Sequence, residues 1–196
     1  MSNSKPPLPQ PQAPQGSADR PPGLRIAISG KSGCGNSTVS RLVAERLGFR
    51  LVNYTFKNLA RDRGMSFEDI CILAETDPQY DQTIDRMQVK LAEEGNCVLG
   101  SRLAIWLLRD SAFTVYLHAP LEVRAARIAR REGKDLATAL QETEARDKRD
   151  HDRYARLYAY DVNDFAFAAL VVDADTLDQD AAARQIVEHS GQFRVT

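Results

Sequence analysis

The sequence predicts an α/β fold, a three-layer αβα domain built on a parallel sheet. Three observations predict it. From about residue 23 onward, short apolar runs alternate with helical segments, the pattern of a parallel sheet with crossover helices. The first apolar run, Leu24 to Ser29, leads straight into the glycine-rich stretch Gly30-Lys31-Ser32-Gly33-Cys34-Gly35-Asn36-Ser37-Thr38. A helical segment follows at once. Strand, glycine loop and helix together form a cradle in which backbone N–H groups and a helix N-terminus face an anion.

The elements follow in order. Leu24–Ser29 is the first strand and Ser37–Leu47 the first helix, closed by Gly48. A short strand is expected at Phe49–Val52. Three helical segments come next, Phe56–Arg63, Ser66–Glu75 and Pro78–Glu94, with Ser66 and Asp69 spaced as a capping box. Asn96–Gly100 reads as a buried strand, Leu103–Leu108 as a short helix and Phe113–His118 as another strand. Pro120 opens a helix that runs to Arg131, where Gly133 breaks it. A long helical stretch covers Asp135–Ala159, the last strand is Ala168–Val172, and a helix lies near Asp180–His189.

Composition bounds the rest. Of 196 residues 43% are hydrophobic, enough for one core over residues 23–196. Residues 1–22 are rich in proline and glutamine and read as a disordered tail, with no apolar segment of a signal peptide. The formal net charge is −1, so no nucleic-acid partner is indicated. No apolar run approaches the ~18 residues a membrane-spanning helix needs. Cys34, Cys71 and Cys97 form no metal or disulfide pattern, which suits a cytoplasmic protein. Cys34, inside the loop, reads as a small filler.

The loop carries the chemistry. The P-loop pattern is G-x-x-x-x-G-K-[ST]. Gly30, Gly35 and Ser37 are in register, but Asn36 stands where the lysine belongs. Most of such a cradle is backbone, so a loop made of Gly30 to Thr38 still binds the phosphates of ATP. The Ser37 hydroxyl is placed to ligate Mg²⁺, which takes one or two protein oxygens beside phosphate and water. What is missing is a point charge between the phosphates. Lys31, at the second position, resembles the extra lysine of the deviant P-loops in the partition-ATPase family, where it reaches phosphates across a dimer interface. Lys31 is therefore either the replacement, in cis or in trans, or a solvated surface lysine.

Two further stripes point the same way. Arg124, Arg127 and Arg131 fall on one face of their helix, and Arg146, Arg149 and Arg153 repeat the spacing on the next. Asp147 and Asp150 lie beside them. Arginines on hairpinned helices behind a phosphate loop suit phosphoryl transfer, which depends on positioning and charge stabilisation. The helices between the second and third strands can cap an acceptor, and residues 124–156 can form a lid.

On these residues the chain resembles the cytidylate kinases of the short, archaeal-like type, within the P-loop nucleoside monophosphate kinases. Gly64-Met65-Ser66, Asp77-Pro78, Asp81, Asp85, Arg86 and Gln88 resemble that family's acceptor helices. Ser101-Arg102-Leu103-Ala104-Ile105-Trp106 resembles its G-R-L-A-G-W segment. Arg127 to Lys134 resembles the helix entering its lid, and Arg146-Asp147-x-Arg149-Asp150-x-x-Arg153 its R-D-x-R-D-x-x-R run. The resemblance implies transfer of the ATP γ-phosphate to CMP or dCMP with Mg²⁺. It implies an acceptor-binding insertion at 55–94. It also implies that Arg102 and Lys57 bind the acceptor phosphate, that Arg149 and Asp150 read cytosine or hold the lid, and that Arg127, Arg131, Arg146 and Arg153 surround the transferring group.

The chain departs from the family at Asn36 and at Gly100, where the family carries Asp or Glu; Asp77, Asp81 and Asp85 are the carboxylates available as substitutes. Two other readings stay open: a weakly active or inactive nucleotide-binding sensor, and a kinase for another small acceptor. Trp106 reads as core, Tyr154, Tyr158 and Tyr160 as packing residues with hydroxyls in water, His118 as a turn residue, and His151 as solvated.

Overall fold

Strand β1 (Arg25–Gly30) lies at the centre of the sheet, with Ile26, Ala27, Ile28 and Ser29 fully buried. The structure, a computed structural model, describes residues 23–193, so the tail assigned to residues 1–22 lies outside the described residues. β1 pairs in parallel with β3 (Cys97–Gly100) on one side and β4 (Phe113–His118) on the other. β2 (Arg50–Val52) and β5 (Leu170–Asp173) complete the sheet in the order β2-β3-β1-β4-β5, all parallel. A parallel sheet covered on both faces explains why its central strands read as unbroken apolar runs.

Helices α1 (Asn36–Leu47) and α8 (Gln179–Ser190) cover one face, where Val39, Val43 and Ile186 pack on Ile26, Ile28, Val115 and Leu117. α4 (Gln79–Ala92) and the short α5 (Ala104–Leu107) cover the other, around Leu99, Ile105, Trp106 and Tyr116. Trp106 is core as expected, meeting Tyr116 and Phe167 edge-on. α2 (Phe56–Arg63) and α3 (Phe67–Thr76) join α4 in a separate small cluster of Tyr54, Leu59, Ile70, Tyr80 and Ile84. This cap is tied to the sheet domain where Gln88 donates to the Tyr54 carbonyl at 2.8 Å.

α6 (Leu121–Glu132) and α7 (Leu136–Tyr158) form a hairpin that turns at Gly133, whose φ is 66°. Asp135 caps α7 by accepting from the Thr138 N–H.

The strand and helix boundaries expected from sequence hold to within a residue or two, with small corrections. β5 starts at Leu170 rather than Ala168, because Ala168 closes a turn on Phe165 and Ala169 donates to the Thr114 hydroxyl. Ser66 caps α3 through the Asp69 N–H, but the reciprocal half of the box is absent. Thr55 and Asn58 make the fuller N-terminal cap, on α2.

Candidate active site

The phosphate loop emerges from the C-terminal end of β1, at the centre of the sheet, the place where open parallel sheets bind ligands. Its shape depends on two left-handed residues, Gly33 at φ 89° and Gly35 at φ 95°. Gly33 has a second requirement: a Cβ there would lie 2.8 Å from the Cβ of Arg124. The loop closes on itself as the Cys34 N–H donates to the Lys31 carbonyl at 3.1 Å. That N–H is therefore spent within the loop, and the buried Cys34 side chain faces away from the cleft beside Ala119 and Arg124. Burial pushes the Cys34 thiol up, as suits an inert filler.

Asn36 does not reach outward in place of a lysine. Its amide turns under the loop and donates to the Gly30 carbonyl at 2.7 Å. Lys31 does line the cleft, and no ion pair holds it among the described residues. The cleft, about 880 Å³, runs along Gly30 to Ser32 and Gly35 to Thr38 and is walled by Arg102, Arg127, Arg131 and Arg146. Gln179, the first residue of α8, also lines it; the helix expected to start near Asp180 begins one residue earlier.

A second cleft, about 850 Å³, opens under the cap and contains Asp81, Arg149, Asp150 and Arg153. Arg102 and Arg146 line both clefts. Arg102 is held in place from below, because the turn after β3 is stitched to β1. The Ser101 N–H donates to the Ile28 carbonyl, and the Ser29 hydroxyl donates to the Ser101 carbonyl at 2.9 Å while accepting from the Ile105 N–H at 3.1 Å. The Arg102 guanidinium then donates to the Ser32 hydroxyl at 2.8 Å and to the Asp150 carboxylate.

Several expected roles are redistributed. Arg124 shares a helix face with Arg127 and Arg131 but is a buried strut, its side chain 4% exposed. It donates to the carbonyls of Ala119 and Ser32, each at 3.1 Å, and to Asp147 at 2.8 Å. Arg127 is anchored at the Ala174 carbonyl, 2.6 Å away, and Arg131 pairs with its neighbour Glu132. Arg153 pairs with Asp81 across to the cap. Lys57 is not brought to either cleft; its exposed ammonium sits 5.8 Å from the centre of the Phe67 ring.

Each of the three cap carboxylates has a partner, and Asp81 also lines the second cleft. Asp77 accepts from the Gln79 N–H, Asp81 is taken by Arg153, and Asp85 accepts from Tyr158. Tyr158 thus departs from the expectation of a hydroxyl in water. His151 also has partners, Asp152 and Asp161. At Gly100 the space for a side chain is already filled by Ser40.

Burial raises the Asp150 carboxyl, against the pull of the Arg102 charge in the other direction. Burial also raises Asp85, and pushes the Tyr154 hydroxyl up to about 12. Among the described residues no group of three or more acidic, histidine or cysteine side chains could hold a metal ion. The exposed Ser37 hydroxyl, in the first turn of α1 and on the cleft wall, fits a hard cation that takes its other oxygens from phosphate and water.

A parallel sheet of this order, a phosphate loop after its central strand and arginines on a helical hairpin define a P-loop phosphotransferase of the small-molecule kinase class. Shikimate kinase from Acinetobacter baumannii, solved with shikimate, superposes with a TM-score of 0.58 over 88% of this chain and 96% of that one, at 18% identity, a likeness of fold.

Sequence comparisons narrow the class. The cytidylate kinase-like family matches residues 74–176. "Cytidylate kinase 2" of Borreliella afzelii is 39% identical over 79% of this chain and 89% of that protein. The cytidylate kinase of Aeropyrum pernix is 41% identical over 82% and 95%. The chain belongs to the cytidylate kinase family and is a nucleoside monophosphate kinase.

Proposed function

We propose that this protein transfers the γ-phosphate of ATP to CMP or dCMP, giving CDP or dCDP, with Mg²⁺ and in the cytoplasm. The observation that carries the reading is the place of Arg102. It stands where the two clefts meet, touching Ser32 of the phosphate loop on one side and Asp150 on the other. An acceptor monophosphate held there faces a donor lying along the loop, the in-line arrangement that phosphoryl transfer requires.

ATP takes the cleft along Gly30 to Thr38, with Ser37 as the protein ligand to Mg²⁺. Arg127, Arg131 and Arg146 flank the transferring group, and Lys31 supplies the charge that Asn36 lacks. The acceptor enters the second cleft, where Arg149, Asp150 and Arg153 are in reach of its phosphate, ribose or base. Lys57 plays no part in this arrangement. The relatives' name, cytidylate kinase, supports a nucleotide acceptor.

Asn36 and Gly100 favour a second reading, a nucleotide-binding sensor with little turnover. One assay separates the two: ADP release from ATP and Mg²⁺ with CMP, dCMP, UMP and AMP offered in turn. CMP- or dCMP-stimulated turnover is expected. Saturable ATP binding with no turnover for any acceptor would sink the kinase reading in favour of the sensor.

A further inference from the structure

We infer that Arg124 is a positioning residue for the donor: it holds one peptide of the phosphate loop, Ser32–Gly33, turned so that the Gly33 N–H faces the donor cleft. The inference rests on the donor-site reading above. Lys31, Ser32, Gly33 and Cys34 form a β-turn, closed by the Cys34 N–H on the Lys31 carbonyl at 3.1 Å. Positive φ at Gly33, 89°, but not at Ser32 marks the turn as type II. The type I turn keeps the same closing bond and differs by a half turn of the central peptide. Glycine at the third position accepts either form. The loop's own residues therefore leave the direction of this peptide open.

Arg124 closes that choice. It lies behind the loop, beside Cys34 and Ala119, and its guanidinium donates to the Ser32 carbonyl at 3.1 Å. A planar trans peptide points its N–H opposite its C=O. With the carbonyl drawn back to Arg124, the Gly33 N–H points forward, where Ser32 and Gly33 line the donor cleft. That N–H makes no hydrogen bond among the described residues. In the type I form the two groups would exchange places. The carbonyl oxygen would then face the phosphates and the N–H the guanidinium, two repulsive contacts in place of two attractive ones.

The guanidinium is fixed for this task. The Arg124 side chain is also anchored on the Ala119 carbonyl at 3.1 Å and on Asp147 at 2.8 Å. Its backbone packs so closely on Gly33 that a Cβ there would lie 2.8 Å from the Arg124 carbonyl oxygen. Asp147 belongs to α7, which also brings Arg146 to the cleft. The seating of that helix and the direction of the loop peptide are thus joined through one side chain.

The test is equilibrium binding of a non-hydrolysable ATP analogue with Mg²⁺, and separately of CMP, to the full chain and to its Arg124→Lys and Gly33→Ala variants, with thermal melts in parallel. A lysine keeps a charge for Asp147, but its one ammonium lacks the fork that spans three acceptors. An alanine at residue 33 disfavours the positive φ that the type II turn needs. Each variant should bind the ATP analogue about ten- to a hundredfold more weakly, the scale of one hydrogen bond to a charged group, while CMP affinity stays within about threefold. Both substitutions act on one peptide, so the double variant should lose little more than either alone. In amide NMR spectra of the wild type, the Gly33 proton should move downfield when the analogue binds.

Wild-type affinity for the analogue in either folded variant would overturn the inference and leave Arg124 a strut alone. So would an equal loss for the analogue and CMP, the mark of general loosening, and so would strict additivity in the double variant. If neither variant folds, the Gly33 amide of the wild type decides, and a proton that stays put overturns the inference. No binding of the analogue to the wild type would sink the donor site together with the inference, whereas tight binding that the variants leave unchanged keeps the donor site and removes only the role of Arg124.

Discussion

The hydroxyl of Ser40, on α1, occupies the space that a side chain on Gly100 would need: a Cβ at residue 100 would lie 2.3 Å from Ser40 Oγ and 2.7 Å from Ser40 Cβ. The absence of a side chain at the end of β3 and the serine on the facing helix are therefore one arrangement. Gly100→Asp alone should destabilise the protein by about 1–3 kcal/mol through overpacking. Adding Ser40→Gly should relieve the clash, at a cost of about 1 kcal/mol for glycine within a helix. Thermal melts of the two single variants and the double variant form the cycle; strict additivity would refute the coupling.

The charge on Lys31 can be tested against the amide of Asn36. Lys31→Ala should lower kcat/KM by roughly 10²–10³, the loss that follows removal of one transition-state partner. Asn36→Lys in that background should restore much of it, because a lysine there points its ammonium at the phosphates and gives up only the bond to the Gly30 carbonyl. Steady-state kinetics with ATP and CMP decide; normal turnover by Lys31→Ala would leave Lys31 a solvated residue.

The arginines of α6 should separate into structure and activity. Arg124→Met strands the Asp147 carboxylate, 14% exposed, and the Ser32 carbonyl, so it should cost about 3–5 kcal/mol. Arg131→Ala removes a side chain that is 64% exposed and should change stability by less than about 1 kcal/mol while lowering kcat. Denaturant melts alongside kinetics check both; a stable Arg124→Met protein would contradict the strut.

Asp85 supplies a pH signature. Burial raises its carboxyl above the ordinary value of 3.8, so its protonated form is the one the fold favours. The stability it contributes is complete below the unfolded value and is lost as pH rises through the folded one. Asp85→Asn keeps an oxygen for the Tyr158 hydroxyl and removes the ionisation. The melting temperature of the variant should stay flatter than wild type as pH climbs from 4 toward neutrality; parallel curves would mean Asp85 does not carry the effect.

Much of this was legible in the chain because the informative features are local. Gly48 and Gly133 end α1 and α6 where glycine was expected to, and the phosphate loop announces itself by spacing. Depth was not legible. Helical periodicity puts Arg124 beside Arg127 and Arg131, but it cannot show that Arg124 lies against the loop at Gly33 while Arg131 stays in solvent. Long-range pairings were equally hidden: nothing near Arg153 or Tyr158 in sequence points to Asp81 or Asp85, more than seventy residues away. Gln179 escaped notice for a simpler reason, since an N-capping aspartate at Asp178, not Asp180, starts α8. Asp178 carried that signal, a capping residue just ahead of the apolar repeat.

The resident carboxylates have a consequence for what the protein will accept. Arg102 already holds Asp150, and Arg153 already holds Asp81. At these two arginines a guest anion therefore enters by counter-ion exchange, whereas Lys31, with no ion pair among the described residues, offers an open charge. Chloride or a simple carboxylate offers no better bargain than the aspartate it must displace, whereas a phosphate dianion brings more charge and a third oxygen. Asp150 and Asp81 thereby set a threshold at Arg102 and Arg153 that a phosphate ester is expected to cross more readily than chloride.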